Sequence, residues 1–166
     1  MPLKHQVCAI TKRLFLGPFL TPVRAAYLRE LGVTHALNVG EAQSVVTPVD
    51  SGFTEIRDRA IADLALIPDD VAIDCIKQLH QMLRSSDSKV YVHCIAGQNR
   101  SPTLVWLYLI ACGMPREEAR AIVEAASPDA VPGHKTLADA RLVTLVEEYG
   151  RTHFQPFEDK DTLSPA

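Results

Sequence analysis

Residues 89–112, KVYVHCIAGQNRSPTLVWLYLIAC, change character twice. Lys89 to Val92 is rich in β-branched and aromatic residues, the composition of a short buried strand. Ser101 to Cys112 is apolar almost throughout and predicts a buried helix. Pro102 is tolerated in its first turn, where an N–H would lack a helical partner in any case. Between them lies a polar loop that starts at Cys94 and ends at Arg100. A strand running through a short loop into a helix N-terminus gathers backbone N–H groups and the positive end of the helix dipole around one point. That is an anion cradle, with Cys94 at its base and Arg100 at its rim.

The residue types suit phosphate chemistry. A free thiol has a pKa of ~8.5, and the positive potential at a helix N-terminus can lower such values to ~3.5–7.5, which favours the nucleophilic thiolate. An arginine at the rim binds two phosphate oxygens at once, a geometry lysine lacks. Gly97 lets the chain take φ values that are costly for other residues. The loop therefore points to in-line attack of the Cys94 sulfur on a bound phosphate monoester, nucleophilic catalysis through a phosphocysteine.

The run from His93 to Ser101, HCIAGQNRS, resembles the signature of the cysteine-dependent protein tyrosine phosphatases: His-Cys, five residues, then Arg and Ser or Thr. Ser101-Pro102-Thr103 makes it most similar to the dual-specificity branch. The resemblance runs from about Ile10 to Tyr149 and is weakest over 41–54 and 131–136. It implies that Cys94 attacks while the amides of Ile95, Ala96, Gly97, Gln98, Asn99 and Arg100, with the Arg100 side chain, hold the phosphoryl oxygens. It implies that Ser101 hydrogen-bonds the sulfur and eases its departure, and that His93 helps to hold the loop. It also implies an aspartic acid as proton donor on an earlier loop. Asp63 has the best-fitting spacing and Asp58 is the second candidate, whereas Asp69 and Asp70 follow Pro68 and suit a helix N-terminus. Asn38 matches a family asparagine that brackets the phosphate loop, with a simple strand-end turn residue as the other reading. Residues 131–135 depart from the family pattern, and no site residue is assigned there.

Outward from the loop, strands alternate with helices. Val7 to Gly17 reads as two short strands about a turn at Thr11-Lys12-Arg13. Thr21 and Pro22 open a helix with Val23, Tyr27, Leu28 and Leu31 as its apolar face and Gly32 as its stop. Strands are expected at 36–39 and at the edge over 55–58, with loops over 41–54 and 59–67. Ala72, Cys75, Ile76, Leu79, Met82 and Leu83 recur at helical spacing after Pro68. Two further helices are expected over 116–126 and 137–149. The fold class is α/β: a three-layer sandwich whose mostly parallel sheet of about five strands carries helices on both faces. Residues 1–151 are read as one phosphatase domain and 152–166 as a flexible tail.

The 166 residues are 47% hydrophobic and 22% charged with a net charge of −3, which offers no basic excess for nucleic acid. No apolar run is long enough to cross a membrane, and the N-terminal residues lack the apolar core of a signal peptide. Four dispersed cysteines (Cys8, Cys75, Cys94, Cys112) fit a reducing cytoplasm better than a disulfide framework. Neither they nor the six histidines have metal-ligand spacing, so no metal or cofactor is expected. Cys75 reads as core packing rather than as a redox partner of Cys94, and Trp106 as core. Arg116 and Arg120 read as surface salt-bridging residues.

The expected substrate is a phosphorylated protein, on tyrosine, with serine and threonine left open. Phosphoinositide or glucan phosphatases share the chemistry. The former often carry lysine inside the loop, where Ile95, Ala96, Gln98 and Asn99 are uncharged. A phosphoprotein-binding module with weak turnover would use the same cradle, although Cys94, Arg100 and Ser101 are all intact. A sulfurtransferase or arsenate reductase is disfavoured by the loop length and by the want of a second reactive cysteine nearby.

Overall fold

The structure, a computed structural model, describes residues 2–157 and 161–166. Five strands form one sheet: β1 (Cys8–Ala9), β2 (Leu14–Gly17), β3 (His35–Asn38), β4 (Glu55–Asp58) and β5 (Val90–His93), in the order β1-β2-β5-β3-β4. Only the short β1–β2 pair is antiparallel. The others run parallel and place β5 at the centre.

Strand alternation sends side chains to two cores. Leu14, Leu16, Leu37, Val90 and Val92 face one cluster, and Phe15, Ala36 and Tyr91 face the other. The smaller core is covered by α1 (Pro22–Glu30), with Val46 and Phe53 added from either side of the one-turn α2 (Pro48–Ser51). The larger is built from α3 (Asp69–Met82), α4 (Arg100–Ala111), α5 (Arg116–Ala126) and α6 (Ala140–His153). The three-layer α/β sandwich expected from the sequence is the observed fold. Every residue of α4 is buried, which explains why that helix is apolar all round.

The expected apolar positions of α3 are all buried. Thr21 caps α1 by accepting from the Arg24 N–H at 3.2 Å. Val23, expected on the buried face of that helix, is instead 66% exposed, because α1 seats Ala25 and Leu28 on the sheet. Trp106 is core, as read, and its indole N–H donates to the Arg116 carbonyl at 3.2 Å. Arg116 and Arg120 pair with Glu147 and Glu124.

The C-terminal segment departs from the expected loose tail. α6 runs on to His153, and Phe154 stacks on His80 at 3.9 Å between ring centres. Thr162 is fully buried and accepts from the buried Arg13 guanidinium, while Thr11 bridges Pro165. Arg13 also donates to the carbonyls of Leu83, Ser85 and Ser88, so one cation ties the hairpin, the end of α3 and this segment together. The sequence pattern hid this because the anchors are single residues in a polar run. For residues 158–160 the expectation of a tail lies outside the described residues.

Candidate active site

The parallel pairing sets Gly17, His93, Asn38 and Asp58 in one row across β2, β5, β3 and β4. These are the carboxyl ends of the strands, where α/β sheets present their sites. The chain leaves β5 at His93, turns through residues 94–99 and enters α4 at Arg100.

Cys94 is 3% exposed, and its Sγ lies 3.4 Å from the Ser101 Oγ. Among the described residues, none of the backbone N–H groups of residues 95–99 donates a hydrogen bond within the chain. The outward carbonyls are used instead: Ile95 accepts from Phe19 N–H at 3.0 Å and Gln98 from Val131 N–H at 2.7 Å. The loop is thus pinned by its oxygens with its donors free, and α4 points its N-terminus at the same place. Arg100, 7% exposed, donates to the Ile61 carbonyl at 3.2 Å and to Glu41 Oε1 at 3.4 Å.

Gly97 has φ +75°, and a Cβ there would come within 2.6 Å of the Gly17 carbonyl carbon. Gly17 is itself crowded by the buried Tyr91, whose hydroxyl donates to the Pro18 carbonyl at 2.6 Å. Two glycines back to back therefore let the end of β2 serve as the floor of the loop. On the far side, Thr103 accepts from the Gly133 N–H at 3.1 Å, so residues 131–133 form a second bracket. No residue of that bracket was assigned from the sequence, because its contacts are made by backbone and carry no side-chain signature.

His93 lies fully buried between Phe19 and Tyr91. Burial pushes its pKa down to about 4, so the ring is neutral at pH 7. Its Nδ1 faces the Cys94 carbonyl at 3.4 Å, and because a carbonyl only accepts, the proton sits on Nδ1. Among the described residues, Nε2 has no hydrogen-bond partner. His93 thus holds the start of the loop as a neutral donor.

Of the two aspartates considered, Asp63 reaches the mouth. Its Oδ1 is 4.0 Å from Arg100 Nε and its side chain is 42% exposed. Asp58 is occupied elsewhere: Asn38 donates to it at 3.0 Å, and Ser44 donates through both its hydroxyl and its N–H. Burial raises its pKa, but the bonds from Ser44 and Asn38 outweigh that and hold it below the usual carboxylate value. Asp69 pairs with Arg141, as suits a helix-end acid. Asn38 braces the loop at one remove: its Oδ1 accepts from Gly40 N–H at 2.9 Å and its Nδ2 donates to the Ala42 carbonyl at 2.6 Å. Gly40 in turn packs against the Cys94 backbone, where a Cβ would meet Cα at 3.2 Å. Glu41 was missed in the sequence; its place just past the end of a central parallel strand was the available signal.

Burial pushes the thiols of Cys75 and Cys112 up to about 12, which makes both unreactive at neutral pH, and Cys75 packs in the core as read. Among the described residues no group of His, Cys, Asp and Glu is placed to hold a metal ion. The same residues contain no helix long and apolar enough to cross a membrane.

The sequence model of the dual specificity phosphatase catalytic domain matches residues 14–139. A mouse relative, protein tyrosine phosphatase type IVA 2 of Mus musculus, is 36% identical over 93 residues, 55% of this chain and 56% of the relative. The chain therefore spans little more than half the length of that relative. Dual specificity protein phosphatase 1B of Arabidopsis thaliana is 30% identical over 126 residues, 74% of this chain and 72% of the relative. The crystal structure of human tyrosine phosphatase-like serine/threonine/tyrosine-interacting protein shares the fold with a TM-score of 0.68 at 21% identity, over 90% of this chain and 98% of that one.

Proposed function

The chain belongs to the dual specificity phosphatase family, and from that premise we propose that it hydrolyses phosphate monoesters of proteins through a phosphocysteine at Cys94. The observation that carries the reading is the row of unengaged N–H groups over residues 95–99, set between Cys94 and the buried Arg100. The amides and the Arg100 guanidinium bind the equatorial oxygens of the phosphoryl group. They oppose the charge where it develops, without rearrangement during the reaction. Sγ attacks phosphorus in line, the P–O bond breaks, and Asp63 gives its proton to the departing oxygen. Water then attacks the phosphocysteine, Asp63 recovers a proton, and the sulfur leaves as a thiolate stabilised by the Ser101 hydroxyl 3.4 Å away.

Phosphotyrosine is the preferred ester in this reading. Leu64, beside Asp63, is 69% exposed and held at φ +57°, and Ile95, beside Cys94, is 48% exposed. Holding a non-glycine residue in that conformation costs about 1–2 kcal/mol. A leucine kept there with its side chain in solvent suits packing on an aromatic leaving group. The uncharged loop and the carboxylate of Glu41 against Arg100 speak against polyphosphorylated inositides. The four cysteines are free, in keeping with a reducing cytoplasm.

The test is hydrolysis of an aryl phosphate in EDTA. Turnover that persists without free metal is expected. In a separate assay free of EDTA, which would chelate the inhibitor, vanadate, a mimic of the five-coordinate transition state, should block it. Activity that vanishes in EDTA and returns with a divalent ion contradicts the reading.

A further inference from the structure

Among the described residues, Glu41 is the one carboxylate in hydrogen-bond contact with the Arg100 guanidinium, at 3.4 Å, yet its own side chain is 65% exposed. It reaches that place through a built turn. Asn38 grips both sides of the turn at Gly40 and Ala42, and Gly40 is packed against the Cys94 backbone. Ser44 closes the turn by donating to Asp58, the aspartate that takes no place at the mouth. Two buried or half-buried polar residues are thus spent on presenting one exposed acid beside the phosphate site. The loop supplies no cation to balance it, since residues 95–99 are uncharged. Arginines on adjoining segments are engaged: Arg24 with the carbonyls of His5 and Phe19, Arg59 with Asp74.

We propose that Glu41 is a specificity-determining residue, a charge filter that disfavours substrates with a second anionic group beside the scissile phosphate and favours those with a cation there. The proposal rests on the phosphatase reading above. Once a phosphate dianion occupies the cradle, Arg100 and the amides are committed to it. Glu41 is then an uncompensated negative charge facing whatever flanks the ester. A unit charge about 7 Å from it, in a dielectric between water and protein surface, shifts relative rates by about three- to tenfold.

The experiment uses the full chain and two phosphotyrosyl peptides of equal length, one flanked by lysines and one by glutamates, with p-nitrophenyl phosphate as the small reference. The wild type should show a higher kcat/KM for the lysine peptide. Glu41→Gln should shrink that preference by about threefold or more, Glu41→Lys should reverse it, and the reference ester should change less than the ratio does. The preference should also fade in 1 M salt. Glu148→Gln, an equal change of net charge on α6, should leave the ratio in place. A ratio unmoved by either Glu41 variant, with all three substrates slowed alike, would mean that the acid only steadies Arg100 and would overturn the filter. Loss confined to poor leaving groups would make Glu41 the proton donor and overturn it too. A wild type that turns over none of the three substrates overturns the phosphatase reading itself, whereas turnover with a fixed ratio overturns the filter alone.

Discussion

At the scale of single residues, the site turns on which carboxylate stands where. Asp58 and Asp63 are two aspartates before one helix; spacing puts Asp63 first, and the structure shows what each of them touches. Asp58 is consumed in hydrogen bonds from Asn38 and Ser44, whereas Asp63 lies exposed 4.0 Å from Arg100. Asp63→Asn is therefore expected to slow hydrolysis of esters with poor leaving groups by about 100- to 10,000-fold, and activated aryl phosphates far less. A plot of log kcat against leaving-group pKa for both proteins checks this: a steeper slope in the variant is expected, and an unchanged slope assigns the donor elsewhere. The grouping of Cys94, Arg100 and Ser101 around one loop was legible, because it depends on residue type and fixed spacing. Glu41 was not, because its role depends on a turn held by side chains distant in sequence.

At the scale of elements, β5, the loop and α4 behave as one unit. Their boundaries were readable to within a residue, since a β-branched strand and an all-apolar helix leave little choice. What the sequence did not disclose is how the loop is held: a glycine at the end of β2 below it and residues 131–133 beside it, joined by backbone contacts. Gly97→Ala tests the floor. The new methyl group would force the loop off Gly17 and would carry φ +75°, itself worth about 1–2 kcal/mol. A displacement of the cradle by about 1 Å should cost on the order of 100-fold in kcat/KM while the protein still melts cooperatively. Wild-type turnover in that variant would mean that the close approach to Gly17 does not set the loop's geometry.

At the scale of the whole molecule, burying so much of the site couples stability to pH. The His93 ring is fully buried, and its pKa falls from the ordinary 6.5 to about 4. Below pH 6.5 the unfolded chain binds a proton that the folded one refuses. Stability is therefore complete above that pH and is lost as pH falls from 6.5 through 4, by on the order of 3 kcal/mol. Denaturant titrations at pH 7, 6 and 5 should show that decline, with a shallower dependence in His93→Asn; equal slopes would place the coupling elsewhere. The alternation of strands and helices made this architecture legible, but the docking of residues 161–166 through Arg13 was not, since a buried arginine leaves no pattern in a polar run. In the proposed reaction, phosphate passes through a covalent bond to Cys94. Its most direct test is intact-mass and peptide analysis of Ser101→Ala quenched during turnover. Losing a hydrogen bond to the departing sulfur should slow breakdown of the intermediate by about 10- to 100-fold and let it accumulate. One added phosphoryl group on the peptide containing Cys94, absent in Cys94→Ser, is predicted. Steady turnover with no phosphorylated enzyme, together with activity that survives Cys94→Ser, would contradict it.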